Sequence, residues 1–394
     1  MYLLSILILI LVLISIVFLG RKIIIINCCS NASIAVDCWL LFFLIQILIV
    51  IFFRIYLPAV PDNEMFSSII ENHNVPVEHL GNSDILGFYY VTLPVSYVFS
   101  SDSFLYLIFQ KSMVLLSLIL FYFGALNLIK NRLNFDFSGV GFSLFLFLIS
   151  IYPSFFIHYN TIIRESWEFF FFSAALYAVS KGGYIRGIFL FFMMVLVRKN
   201  SFVYFGLFVF YLTFLKSNVF YFSERVKGLL FFFFFSFFLC LFLLPPFFDY
   251  ISALRNNKLS FFTSIGFSPT MLYPAYESGD LNFYFTLKSM MQYIIDPLPI
   301  TSMRGSIFAY VESFFSFSLI TVMFFIVFHL KKLSKFCLVF LLVFYAQANL
   351  EYFVSGGMRH RLIPYFAFIA YLSIILSPSL KRTILILKGA SNVG

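Results

Sequence analysis

Residues 2–19 read YLLSILILILVLISIVFL, a run with no charge in which only Tyr2, Ser5 and Ser15 carry polar side-chain atoms. A helix rises about 1.5 Å per residue and needs about 20 apolar residues to cross the hydrocarbon core of a bilayer. This run is therefore expected to span a membrane. No basic segment precedes it, no small-residue cleavage pattern stands before Arg21, and further apolar runs follow. A retained first helix is expected rather than a cleaved leader.

Working outward, comparable runs recur at 34–56, 103–128, 138–158, 165–180, 184–198, 201–216, 227–247, 306–329, 334–350 and 361–378. With the first run they predict an all-α polytopic membrane protein of eleven spans, forming one transmembrane domain over 1–394. The runs 184–198 and 201–216 are short and read as a broken or tilted pair. Segment 85–99 contains Pro94 and reads as re-entrant or interfacial; counted as a span, it makes twelve.

Composition agrees. Of 394 residues, 62% are hydrophobic and 11% are charged, where a soluble domain has about 25% charged. A soluble enzyme and a disordered tail are set aside. The net charge is +9, but the basic residues are scattered between apolar runs and form no stripe suited to a phosphate backbone, so no nucleic acid is expected. Cys28, Cys29, Cys38, Cys240 and Cys337 lie in or near apolar stretches without ligand-like spacing to histidine, so no metal is expected.

Charge then orients the chain. With the Arg21–Lys22 turn in the cytoplasm and eleven spans alternating, 15 of the 26 Lys/Arg but only three of the 17 Asp/Glu fall inside. Short basic loops face the cytoplasm, which puts the N-terminus outside and the C-terminus inside. Two connections on the outer face are long, 57–102 and 248–305. Loops of such length are usually functional or disordered, and their aromatic content argues against disorder.

The chemistry-bearing residues gather on that outer side. Pro61-Asp62-Asn63-Glu64-Met65-Phe66 follows the second run, with Arg54 just before it. Asp62 and Glu64 can orient an acceptor hydroxyl or take its proton, and a solvated loop start is the plainer reading. Further on come Tyr152-Pro153-Ser154, His158, Tyr159, Asn160, Arg164, Glu165 and Glu168. Arg164 and Glu168 are spaced i,i+4, which places them on one helical face. Arg164 can hold a pyrophosphate with its planar fork, or form a structural ion pair. Arg198 and Lys199 are adjacent cations against the usual bias: anion ligands, or a local failure of the assigned topology.

Asp296-Pro297-Leu298-Pro299 leads to Arg304 and Glu312. The prolines stiffen the approach, and a carboxylate as deep as Glu312 needs a cationic partner or a proton. Gly356-Gly357-Met358-Arg359-His360-Arg361 precedes Pro364. Proline suits a first helical turn, so these basic side chains stand near a helix N-terminus, where anions are favoured. The arginines Arg164, Arg198, Arg304, Arg359 and Arg361 fit pyrophosphate ligands. Tyr152, His158, Tyr159 and Asn160 fit glycan contacts. Asp62, Glu64, Glu165, His360 and Glu312 are the candidate bases. The chemistry these types suit is displacement of a pyrophosphate from an anomeric carbon by a sugar hydroxyl, with arginines stabilising the leaving group.

On those residues the chain resembles the O-antigen (Wzy-type) polymerases and their exopolysaccharide relatives, which join lipid-linked oligosaccharide repeat units. Tyr152-Pro153-Ser154 with Arg164-Glu165 is similar to that family's proline followed by a basic–acidic pair, with Glu165 where an Asp is often found. Pro297-Leu298-Pro299 with Glu312 resembles the end of its large outer loop. Arg359-His360-Arg361 with Pro364 resembles its Arg-x-Arg approach to the last core span, and Asp62 stands where relatives often place an acid.

The resemblance implies a GT-C-like membrane glycosyltransferase in a bacterial inner membrane. It implies transfer of a growing glycan from undecaprenyl pyrophosphate to an incoming lipid-linked repeat unit, at the periplasmic face. A flippase and a chain-length regulator are the implied pathway neighbours, with no nucleotide sugar, cofactor or metal needed. The alternatives are a glycosyltransferase that moves one sugar from a polyprenyl phosphate, a ligase that moves finished polymer onto lipid A core, and a transporter or flippase.

Overall fold

A computed structural model describes residues 2–28, 31–53, 61–77, 83–99, 102–133, 138–201, 307–330 and 360–391, and singly or in pairs 204, 253, 256–257, 259–260, 263–264, 293 and 347. Among the described residues every regular element is helical. The helices are α1 (Tyr2–Asn27), α2 (Ala32–Phe53), α3 (Pro61–Asn72), α4 (Ser83–Phe99), α5 (Ser103–Leu133), α6 (Ser138–Ser150), α7 (Pro153–His158), α8 (Glu165–Ser180), α9 (Tyr184–Val197), α10 (Ile307–Leu330) and α11 (Leu362–Ser391).

The protein is a multi-pass, all-α, membrane-associated chain. Three described helices are long and apolar enough to cross a membrane, over Tyr2–Asn27, Ala32–Phe52 and Ser103–Ile129. Shorter apolar helices run over Ile85–Phe99, Ser138–Ser150, Tyr184–Val197, Val311–Val322 and Leu362–Ser377. The expected spans 201–216, 227–247 and 334–350 lie outside the described residues apart from single positions, as does most of the connection 248–305.

Several sequence boundaries move. The first helix continues past Arg21 and Lys22 to Asn27, so those cations are exposed on its last turns and the turn comes later, at Asn31 with φ 57°. The connection 57–102 holds two helices, α3 and α4, and Pro94 lies inside the second. The run 138–158 is two helices rather than one. Pro153 has no N–H to continue the ladder and pushes its predecessor to an extended conformation; Tyr152 has φ −81° and ψ 112°.

The chain divides into two compact units, Met1–Phe202 with Ile369–Gly394, and Val203–Phe368. In the first, α5 is the central helix: it packs most extensively on α8 and also on α1, and α8 packs on α9. Outer faces of α1 and α2 leave Leu3, Leu11, Phe18, Leu41 and Phe52 exposed, the side chains a bilayer would cover. By contrast α5 buries nearly its whole length, polar Gln110, Lys111, Ser112 and Ser117 included. Close approach of α5 and α8 depends on Gly124, where an added Cβ would lie 3.0 Å from the Tyr177 backbone nitrogen. Aromatic rings fill the layer between them, with Phe121 5.7 Å from Phe169 and 6.1 Å from Phe172 between centroids.

The α8–α9 hairpin sets the site. Helix α8 ends at Ser180, and two residues on Gly182 has a φ of +85°, the left-handed conformation glycine accepts without strain. The Gly182 N–H bonds Val179 O at 3.0 Å and the Gly183 N–H bonds Ala178 O at 2.8 Å. The chain then reverses, so the C-terminal end of α9 returns beside the N-terminal end of α8.

Candidate functional site

Arg198 leaves the end of α9 in an extended conformation, φ −155° and ψ 116°. Opposite it, Glu165 and Glu168 occupy the first turn of α8, where negative charge is favoured by the helix dipole. One guanidinium nitrogen of Arg198, Nη1, lies 3.3 Å from Glu165 Oε1 and 3.2 Å from Glu168 Oε2. All three are buried, at 5%, 3% and 4% exposure. After Arg198 a short 3₁₀ turn, Lys199–Ser201, brings the Ser201 hydroxyl to donate to Glu168 Oε1.

Arg164 stands at the helix boundary with its Nε 3.9 Å from Glu165 Oε1 and its side chain 18% exposed. The expected Arg164–Glu168 pairing on one face becomes a backbone relation, Glu168 N–H to Arg164 O at 3.1 Å, while the Glu168 carboxylate meets Arg198. With Arg164 counted, the cluster holds two carboxylates and two guanidiniums, one of the guanidiniums enclosed and the other partly exposed.

A second set of contacts locks this turn to α5. Gln110 Nε2 donates to Thr161 O at 3.0 Å and to Ser166 Oγ at 2.9 Å. Trp167 Nε1 donates to the Tyr106 hydroxyl at 2.8 Å. The connection from α7 to α8 is thus held at both ends. Its sequence-predicted glycan contacts are buried: Tyr152 0%, Tyr159 1%, His158 6% and Asn160 7% exposed. Tyr159 packs between Phe155 and Phe169, with centroids 5.6 and 5.8 Å away, and Asn160 Nδ2 donates to Phe156 O at 2.7 Å.

Sequence reading passed over Lys111. It sits on α5 next to Gln110, is 0% exposed, and its Nζ lies 4.5 Å from the centroid of Phe155. Nζ has no hydrogen-bond partner among the described residues. A cation over a ring gains about 0.5–2 kcal/mol, against several kcal/mol for removing an ammonium from water. The signal was visible: a lone lysine inside a long apolar run, a position where an ionisable residue is a functional candidate by default.

In the second unit, Arg361 immediately precedes α11 and is 0% exposed. Its Nη2 lies 3.0 Å from Glu312 Oε1, its Nη1 donates to Tyr293 O at 2.7 Å, and its guanidinium lies 5.3 Å from the centroid of Tyr365. Pro364 is the third residue of the helix, in its first turn as expected. The His360 carbonyl accepts from the Tyr204 hydroxyl at 3.1 Å, and Gln347 Nε2 donates to that hydroxyl at 2.6 Å. Glu312, expected to need a cationic partner, has one.

Asp62 and Glu64 fall in the first turn of α3 by their backbone. Arg304 and Arg359 lie outside the described residues, as do Arg54, Asp296, Pro297 and Pro299. Among the described residues, no group of three or more His, Cys, Asp or Glu is placed to hold a metal ion. No family model, no curated protein and no solved structure matches the chain.

Proposed function

We propose that the chain polymerises polyprenyl-pyrophosphate-linked oligosaccharide repeat units at the periplasmic face of a bacterial inner membrane, as one eleven-span domain of GT-C-like type with its N-terminus outside. The observation that carries this reading is the cluster at the start of α8: two buried glutamates sharing one arginine, with a second, partly exposed arginine beside them. Arg164 is the anion ligand in this reading, since it retains contact with the surroundings while Arg198 is enclosed. The acceptor hydroxyl oxygen attacks the anomeric carbon of the growing glycan, and the bond from that carbon to the pyrophosphate oxygen breaks. Undecaprenyl pyrophosphate leaves, its charge balanced by Arg164. The hydroxyl proton passes to the Glu165–Glu168 pair, which has the negative charge to take it.

Deleting the gene in its native host and complementing with Arg164→Ala tests this. The deletion should abolish the surface-polysaccharide ladder and leave core bearing a single repeat unit. Well-expressed Arg164→Ala should restore it poorly, with polymerisation down roughly a hundredfold, the scale of losing one charge-stabilising donor. An unchanged ladder in the deletion strain overturns the reading.

The alternative is a transferase that moves one sugar from a polyprenyl phosphate, and the acids Asp62 and Glu64 in the first turn of α3 favour it. Its product is a single added sugar with no ladder.

A further inference from the structure

The first turn of α8 is gripped from behind, and the grip has a definite angular sense. Successive residues of a helix point about 100° apart. Ser166 and Trp167 therefore share one side of that turn, and Glu165 and Glu168 share the opposite side. Helix α5 holds both residues of the rear side. Gln110 Nε2 donates to Ser166 Oγ at 2.9 Å, and Trp167 Nε1 donates to the Tyr106 hydroxyl at 2.8 Å. Tyr106 and Gln110 are spaced i,i+4, on one face of α5, and all four side chains are buried. Two adjacent residues fixed on one side stop the turn from rotating, so both carboxylates stay on Arg198.

The arm that carries Arg198 is fixed by α4. Gly87 lies so close to the Leu196 carbonyl oxygen that no side chain fits between α4 and the last turn of α9. Helix α4 also reaches the α8 arm. The Tyr106 hydroxyl hydrogen-bonds the buried Thr92 side chain, and the Thr92 hydroxyl donates to Phe88 O at 2.8 Å. Tyr106 is the junction of α4, α5 and α8.

We propose that Tyr106 and Gln110 are positioning residues for the α8 cluster: they lock the rotation of its first turn and so set how Glu165 and Glu168 share Arg198. They act through Trp167 and Ser166 rather than on the carboxylates. The consequence for activity rests on the proposed transferase reading, and the lock itself does not.

The chain has two tryptophans, Trp39 and Trp167, so the full-length protein labelled with 5-fluorotryptophan in detergent gives two fluorine resonances, assigned by Trp39→Phe. Tyr106→Phe and Gln110→Met should each shift the Trp167 resonance and leave that of Trp39 in place. Gln110→Met is the more telling, because Gln110 holds Ser166 and acts on Trp167 by rotation of the turn. In thermal unfolding, Tyr106→Phe combined with Ser201→Ala should lower the midpoint by less than the sum of the single shifts, since a turned helix no longer presents Glu168 to Ser201. In the gene-deletion strain, equally expressed Tyr106→Phe should restore about tenfold less ladder than wild type; a misplacement of about 1 Å can cost about a hundredfold in rate. In a Trp167→Phe background it should cause no further loss.

A Trp167 resonance unmoved in both variants overturns the proposal, as does a combined midpoint shift equal to the sum. A full ladder from both variants, in a strain whose ladder depends on the gene, overturns the positioning role and leaves the polymerase reading standing. A ladder that survives gene deletion removes the polymerase reading instead, and the resonance and the midpoint cycle then decide the lock alone. If Tyr106→Phe does not reach the membrane, Gln110→Met decides on the same readouts.

Discussion

Arg198 and Arg361 are both buried guanidiniums held by glutamate, and their surroundings balance differently. Arg361 faces one carboxylate, one backbone carbonyl and one ring, a closed arrangement in which the formal charges of Glu312 and Arg361 cancel. Arg198 is divided between two carboxylates, with the Ser201 hydroxyl on one of them. The second counter-charge of that cluster is Arg164, 3.9 Å from Glu165 and partly exposed. A buried ion pair with matched charge is weak evidence of anything beyond packing. The α8 cluster differs in access, because one of its two arginines keeps 18% of its side chain exposed, and a charged group that can be reached is a site candidate. The α11 pair is fully enclosed, whereas the α8 cluster keeps one guanidinium open to its surroundings.

The sharpest way to break the comparison is to remove each arginine's partner and compare the losses. Arg198→Met leaves two buried carboxylates with only the partly exposed Arg164 as counter-charge, whereas Glu312→Gln strands a single cation that keeps the Tyr293 carbonyl and the Tyr365 ring. Breaking a buried pair typically costs about 3–5 kcal/mol. Arg198→Met should therefore reach or exceed the top of that range, and thermal unfolding in detergent should show it as the least stable variant of the set. A smaller loss than in Glu312→Gln would mean that Arg164 suffices to balance the glutamates and that Arg198 is not their main counter-charge.

Glu312→Gln should fall near the lower end of the same range. Its double variant with Arg361→Met removes both charges and should recover most of the loss, because a matched pair replaced by apolar groups of similar volume is close to neutral. No recovery in the double variant would show that Arg361 holds Tyr293 in place by more than charge, and would bring the two sites closer in character.

How much of this was legible in sequence depends on range. Runs of apolar residues gave the class and most helix positions, because a membrane-spanning helix is specified by local composition alone. Boundaries were less legible: the first run looked finished at Arg21, yet the helix carries both cations on its exposed face to Asn27. The Glu165–Arg198 contact was readable in principle. Gly182 lies 17 residues after Glu165 and 16 before Arg198, so a hairpin folded there brings them together. Treating the two as separate clusters missed it. The glycan reading of Tyr159 rested on residue type, which cannot distinguish an aromatic facing a cleft from one packed on Phe155 and Phe169. Arg361 meeting both Glu312 and Tyr293 is a tertiary relation between positions 49 and 68 residues apart, and no local pattern encodes it.

The smallest expected effect isolates the hydroxyl that distinguishes the α8 site. Ser201→Ala removes the hydrogen bond to Glu168 Oε1 and leaves every charge in place. A hydrogen bond to a charged group contributes about 1.5–3 kcal/mol, so the variant should unfold at a modestly lower temperature than wild type. It should also be more dependent on Arg198: with Ser201 gone, Glu168 relies on the guanidinium alone, and the two substitutions should be non-additive by about 0.5 kcal/mol or more in a double-mutant cycle. Arg361→Met is the control, being in the other unit, and its effect should add to that of Ser201→Ala. Additivity with both arginines would mean that the hydroxyl and the guanidinium act on Glu168 separately. The cluster would then be three contacts that happen to adjoin, and the argument that it works as one proton-accepting unit would fail with it.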